Sequence, residues 1–113
     1  MDDATLLESE HGRGDAVYQD KTHLHGPNAL VITPNGHLIA GNSDFVNVDP
    51  KQPSEYVEFT PAGQYVRELS VDSATGGSFG LGLGVFGDYV RFAAVDDNTN
   101  SINIWTLPLN LEY

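Results

Sequence analysis

The sequence predicts an all-β protein, and three observations support that prediction. No window of a dozen residues keeps apolar side chains at the three-and-four spacing of an amphipathic helix. The 12 glycines and 6 prolines interrupt the chain repeatedly, which disfavours long helices. Short apolar or alternating runs stand between turn-forming residues, as they do in a series of β-hairpins.

Two hairpins are predicted in the first half of the chain. The first joins residues 29–33 (ALVIT) to residues 37–40 (HLIA), and the second joins residues 55–60 (EYVEFT) to residues 64–69 (QYVREL). Both turns carry the pattern Thr-Pro-x-Gly, in which proline presets φ and glycine accepts the last position. The recurrence of the pattern indicates a repeating unit.

The second half predicts three further strands. Residues 80–86 (GLGLGVF) lead through Gly87-Asp88 into residues 89–95 (YVRFAAV). The polar run at 96–100 (DDNTN) then breaks the pattern before residues 101–107 (SINIWTL), which alternate in polarity as a half-buried strand does. These strands form a second unit.

The two units align with each other. Residues 38–42 match residues 92–96, and Phe59-Thr60 matches Trp105-Thr106. An antiparallel four-stranded unit that recurs at about 50 residues has the period of a propeller blade. We therefore expect about two propeller blades, with an insertion in the loop at 43–54.

This period divides the chain into three predicted parts. Residues 1–21 are a remnant of a preceding blade or an irregular segment, with candidate outer strands at 4–7 and 16–19. Residues 22–72 form the first blade. Residues 73–113 form the second blade, for which the sequence assigns three strands and leaves the outer strand open.

The chain resembles blades of the NHL-type β-propeller family. The resemblance rests on GPNALVITPNGHLIAGN (26–42), FTPAGQYV (59–66) and RFAAVDDNTNSINIWTL (91–107), and it covers roughly residues 22–108. The chain is also similar to the C-terminal blades of uncharacterised secreted bacterial propeller proteins. This similarity implies an extracytoplasmic location. Propellers of this kind serve as binding scaffolds, and related six-bladed propellers include calcium-dependent lactonases and esterases.

Composition excludes several partners and chemistries. The chain has 16 acidic and 5 basic side chains among 113 residues, a formal net charge of −11, so the basic surface that nucleic acid requires is absent. The absence of cysteine excludes disulfides, thiol catalysis and thiolate zinc sites. No apolar run approaches about 18 residues, and the polar first twenty residues contain no signal-peptide core, so no membrane association is expected.

Polar side chains are predicted to meet on one rim of the blades. A hard cation, a small polar ligand or a basic peptide would suit such a rim. The alternative is that these side chains only cap turns by bonding to the backbone. The candidate residues are His23, His25, Asn28, Asn42, Asp44, Asp96, Asp97 and Asn98.

Calcium is the one cofactor for which the sequence contains a candidate pattern. Asp96, Asn98 and Asn100 open like a calcium loop, but Ser101 and Leu107 stand where an EF-hand needs glycine and glutamate. An EF-hand is therefore excluded, and no catalytic residue or metal-ligand set is assigned.

These observations favour a structural or interaction module without catalytic activity. A closed propeller usually takes 4–8 blades, and this sequence holds about two, so we expect a partial propeller. We expect copies of the chain, two or three together, or the remaining blades of a parent protein to complete the ring. The alternatives are a calcium-dependent lactonase or esterase that uses the acidic rim, and a monomeric small β-sandwich that binds a ligand.

Overall fold

The computed structural model describes residues 15–109, and all the regular structure in that range is β-strand, which confirms the all-β prediction. Residues 15–109 also contain no helix long and apolar enough to cross a membrane. The strands are β1 (Pro27–Ile32), β2 (Leu38–Asn42), β3 (Glu55–Phe59), β4 (Tyr65–Ser70), β5 (Ser78–Phe86), β6 (Tyr89–Asp96) and β7 (Ser101–Pro108).

The strands form two antiparallel sheets, in the orders β1-β2-β3-β4 and β5-β6-β7. Within each sheet, every strand pairs with the next one along the chain. The two Thr-Pro-x-Gly turns have the same geometry: Gly36 N donates to Thr33 O, and Gly63 N donates to Thr60 O, both at 2.9 Å. The glycines have φ of 87° and 89°, a backbone region that residues with a Cβ rarely adopt.

The first three strands of the two sheets are equivalent. Ala40 on β2 pairs with Val57 on β3, and Ala94 on β6 pairs with Asn103 on β7. On its other side, Ala40 pairs with a residue of β1, and Ala94 likewise pairs with a residue of β5. The alignment of the two units is thus reproduced in the hydrogen-bonded registers of β1–β3 and β5–β7.

Aromatic side chains fill the space between the sheets. Tyr56 on β3 packs edge-on against Phe92 on β6, with ring centroids 6.0 Å apart, and Phe92 packs against Trp105 on β7 at 5.5 Å. The hydroxyl of Tyr56 donates to Val95 O at 2.9 Å, which satisfies its polar end. These contacts fix one face of the first sheet against one face of the second.

The segment before β1 crosses the other face of the first sheet. The strand predicted at 16–19 is not formed, because this segment lies across the sheet instead of along a strand edge. Tyr18 stacks on Phe59 with centroids 4.6 Å apart, and His23 stacks on Tyr65 at 3.7 Å. The strand predicted at 4–7 lies outside the described residues.

Candidate functional site

Asn42, at the end of β2, bonds the segment that leads into β1. Its Oδ1 accepts a hydrogen bond from His25 N at 3.1 Å, and its Nδ2 donates to His23 O at 2.8 Å. The side chain is fully buried, so both bonds form away from water. Asn42 therefore holds the backbone of the segment and has little left to offer a ligand.

Asp44 connects two loops. Its Oδ2 accepts hydrogen bonds from Ser54 N at 2.9 Å and from Gly76 N at 2.8 Å. The residue has φ of 61°, a left-handed conformation that Asp tolerates better than most residues with a Cβ. A buried carboxylate that accepts two backbone N–H groups is a structural connector between the units.

We expect Asp44→Ala to lower the free energy of unfolding by about 2 kcal/mol. The change removes two charge-assisted hydrogen bonds, and relief of repulsion with the buried Glu55 offsets part of that loss. Denaturant unfolding measures the difference. Asp97→Ala is the matched control, because the Asp97 side chain is exposed. The hydrogen bond that Asp97 makes to Gly77 O comes from its backbone N, which the substitution keeps. Equal losses in the two variants would contradict the role of Asp44.

Asp96 and Asn98 form the corresponding connection in the second sheet. Asp96 Oδ1 accepts from Asn98 N at 3.1 Å, and Asn98 Nδ2 donates to Thr75 O at 3.0 Å. A Cβ at Gly77 would come within 3.0 Å of both side chains, so the loop before β5 passes directly between them. The loop after β6 is therefore hydrogen-bonded to the loop between β4 and β5, which joins the two sheets.

The histidines that the sequence places two residues apart face different partners. His23 Nδ1 lies 2.9 Å from Asp20 Oδ2, which also accepts a hydrogen bond from the hydroxyl of Tyr18. Burial acts to raise the pKa of Asp20, but hydrogen bonds from Tyr18 and His23 outweigh it and lower that pKa to about 2. An aspartate that orients an imidazole can serve proton transfer, but here the ring is stacked on Tyr65 and anchors the segment.

His25 is buried against Glu55, the first residue of β3. Its Nδ1 donates to Asn47 O, and its Nε2 lies 3.0 Å from Glu55 Oε1. Neither Nε2 nor Oε1 has a hydrogen-bond partner, and both are buried, so a Glu55 carboxyl that keeps its proton could donate to Nε2. Burial raises the pKa of Glu55 to about 7, and the nearby Asp44 carboxylate acts in the same direction.

The structure thus brings most of the predicted rim residues into one network that bonds the chain to itself. Asn28 stands apart, exposed on β1 beside an irregularity in the ladder. Within residues 15–109, no group of three or more acidic or histidine side chains has a geometry that could hold a metal ion. Among the predicted rim residues, Asp96 caps a local turn, whereas Asn42 and Asp44 bond backbone groups of distant loops.

A cleft of about 190 Å³ opens between the sheets. Phe92, Trp105 and Leu107 line it on one side, and Glu58 and Leu69 on the other. It is smaller than the roughly 300–1,000 Å³ of typical small-molecule sites. The cleft is better explained as the widening gap between two sheets that diverge towards their outer strands.

The far face of the second sheet is open and largely apolar, with the exposed Arg91 of β6 among its residues, 5.5 Å from the ring of Phe86. Ala93 and Val95 on β6 lie directly opposite Ile104 and Ile102 on β7. The residues that alternate with these four along β6 and β7 line the cleft. Because successive side chains of a strand point to opposite faces, these four side chains point away from the first sheet. Ile102 is 72% exposed and Ile104 is 59% exposed. Together with Phe86 and Tyr89 they form what we call the open face.

The sequence predicts an exposed apolar face at each end of the two blades, but the residues of the open face were not assigned, although a signal was present. The strand SINIWTLP contains no charged residue, whereas β4, the outer strand of the first sheet, contains Arg67 and Glu68. Natural sheets protect their exposed edges with charges. In contrast, β7 is an uncharged edge strand of eight residues with two exposed isoleucines.

No family model matches this chain, and neither a curated protein nor a solved structure is significantly similar to it.

Proposed function

We propose that this chain is a segment of a β-propeller and acts as a structural interaction module that assembles with copies of itself into a closed ring. The observation that carries the proposal is that the two sheets pack head to tail, which means that opposite faces of two equivalent sheets are in contact. A head-to-tail contact leaves one unmatched face at each end of the pair, and the same step can be repeated until a ring closes. The proposal assigns no reaction to the chain.

The head-to-tail relation follows from equivalent residues. The first sheet presents Ile39, Tyr56 and Glu58 to the cleft. By the registers given above, the equivalent residues of the second sheet are Ala93, Ile102 and Ile104, which lie on the open face. Opposite faces of equivalent sheets thus meet in the cleft, and the open face is the next surface in the series.

The complementary surface lies at the other end of the chain. Leu81 and Leu83 on β5 are the equivalents of Leu30 and Ile32 on β1, and both are half-buried. Leu30 and Ile32 themselves are 58% and 65% exposed. A second copy that places its β1 against the open face would bury apolar surface on both sides.

The geometry favours this function over a calcium-dependent hydrolase. A calcium ion takes six to eight oxygen ligands, but within residues 15–109 no group of three acidic or histidine side chains could hold a metal ion. Asp44 Oδ2 already accepts two backbone N–H groups and Asp96 Oδ1 accepts one, whereas the buried Asp44 Oδ1 accepts none. The most polar part of the chain is thereby engaged in its own loops. The open face is one of the exposed apolar surfaces, and the loop that contains Phe45, Val46 and Val48 is another.

We expect the chain to associate at micromolar concentration into species of two or three times its own mass of 12.2 kDa. Two or three copies would supply four or six blades, within the usual range for closed propellers. Light scattering coupled to size-exclusion chromatography measures this mass. A folded single copy at every concentration tested would overturn the proposal and support the monomeric sandwich.

Association should strengthen with ionic strength. Each copy carries a formal charge of −11, so copies repel one another, whereas the proposed interface is apolar. Raising the salt from about 0.1 M to 1 M shortens the screening length from about 10 Å to about 3 Å. We expect the dissociation constant, measured by sedimentation at the two salt concentrations, to fall. A rise would indicate an interface held by ion pairs and would contradict the apolar one.

A further inference from the structure

We propose that residues 15–20 of one copy form the fourth strand of the second sheet of a neighbouring copy, paired antiparallel with β7. The inference rests on the proposed assembly and specifies how neighbouring copies exchange a strand. It explains two features together, a three-stranded sheet with an unprotected edge and an N-terminal segment that joins no sheet of its own chain.

The first line of support is the position of the segment. On β4, Leu69 lines the cleft together with Trp105. The residue equivalent to Trp105 in the first sheet is Phe59, and the side chain that stacks on Phe59 is Tyr18. Tyr18 therefore occupies the place of Leu69, as if residues 15–20 were the outer strand of a sheet that precedes the first one.

The second line of support is the order of the chain. The outer strand β4 of the first sheet is followed directly by the inner strand β5 of the second. Residues 15–20 precede β1 in the same way. In a head-to-tail ring, the sheet that precedes the first sheet of one copy is the second sheet of its neighbour. That sheet ends at β7 and lacks the strand that the segment would supply.

The third line of support is the register that equivalence imposes. Tyr56 pairs with Leu69, and Glu58 pairs with Arg67. Transferred to the second sheet, these pairs become Ile102 with Tyr18 and Ile104 with Ala16.

Both transferred pairs are apolar. Residues 16–19 are uncharged and are bounded by Asp15 and Asp20. The flanking charges would disfavour pairing beyond this stretch, much as charges protect natural sheet edges.

A disulfide tests the predicted register, because the native chain contains no cysteine. In the double variant Ala16→Cys/Ile104→Cys the two thiols would face each other across the new strand pair, within the reach of a disulfide. Within one chain the two positions lie on opposite sides of the first sheet, so the bond can form only between copies. Non-reducing electrophoresis after mild oxidation should show covalent dimers and higher species.

The control is Ala16→Cys/Asn103→Cys, in which the second thiol points to the opposite face of β7. We expect the matched pair to form disulfides about tenfold faster or more, because pairing raises the effective concentration only for facing thiols. Each single-cysteine variant measures the rate of random collisions. If the matched pair fails to fold by circular dichroism, Val17→Cys/Asn103→Cys tests the same register on the other face.

The outcomes separate the two proposals. A native oligomer by light scattering, with equal crosslinking rates in matched and mismatched variants, would overturn the strand exchange and leave the assembly standing. A monomer without specific crosslinks would overturn both. Specific crosslinks in the matched variant would support the strand exchange.

Discussion

The variant Ile104→Arg is expected to be a folded monomer under conditions in which the native chain associates. Ile104 lies near the centre of the open face, and its burial against a neighbour would contribute about 2 kcal/mol. Arginine loses that contribution and adds the cost of burying a charge without a partner. We expect the dissociation constant to rise about 100-fold or more, since each 1.4 kcal/mol is a factor of about ten.

The matched control for this experiment is Val48→Arg. Val48 is 49% exposed in the loop between β2 and β3, away from the open face, and its replacement adds the same positive charge to an acidic chain. The added charge alone lowers the repulsion between copies, so electrostatics predicts tighter association in both variants. Weaker association in Ile104→Arg alone therefore isolates the apolar contact. Unchanged association in Ile104→Arg would show that the open face is not the interface.

The strands were predictable because their signals are local. Each of the seven strands coincides with a predicted run to within a few residues, and both Thr-Pro-x-Gly turns form as expected. Alternation and turn chemistry act over neighbouring residues, so a single sequence contains them. The segment at 16–19 has strand-like composition, but whether it pairs depends on a sheet edge elsewhere, and in this structure it crosses a sheet face.

The site was less predictable, because the roles of its residues depend on distant partners. The sequence places His23 and His25 on one face if the chain is extended, but this segment bends, and the rings turn to Asp20 and to Glu55. Asp44 has the composition of a cation ligand. Only the fold shows that its Oδ2 accepts hydrogen bonds from Ser54 N and Gly76 N.

Glu55 is the residue that sequence reasoning missed entirely. It stands at the start of an alternating strand, where a glutamate is ordinarily solvated, yet its side chain is fully buried beside His25. No local pattern distinguishes it from Glu58 on the same strand. Its environment is built by the segment before β1 and by the loop after β2, both of which pack over that end of β3.

The buried pair predicts that stability falls as the pH rises. The pKa of Glu55 is raised from its ordinary value of 4.5 to about 7 in the folded chain. The stability contributed by this proton is therefore complete below pH 4.5 and is lost as the pH rises through 7. Between pH 5 and pH 8.5 we expect the native chain to lose about 2.5 kcal/mol through this group.

Glu55→Gln should remove most of that loss, because its amide can donate to His25 Nε2 at every pH and has no proton to release. Above pH 7 the variant should be the more stable protein, even though it changes a fully buried residue. Denaturant unfolding across this pH range, at one protein concentration, measures the difference between the two curves. Asp88→Asn, which removes a negative charge at an exposed turn, should leave the pH dependence of the native chain unchanged. Parallel curves for Glu55→Gln and the native chain would mean that the buried pair does not hold the proton, because any other titrating group contributes equally to both.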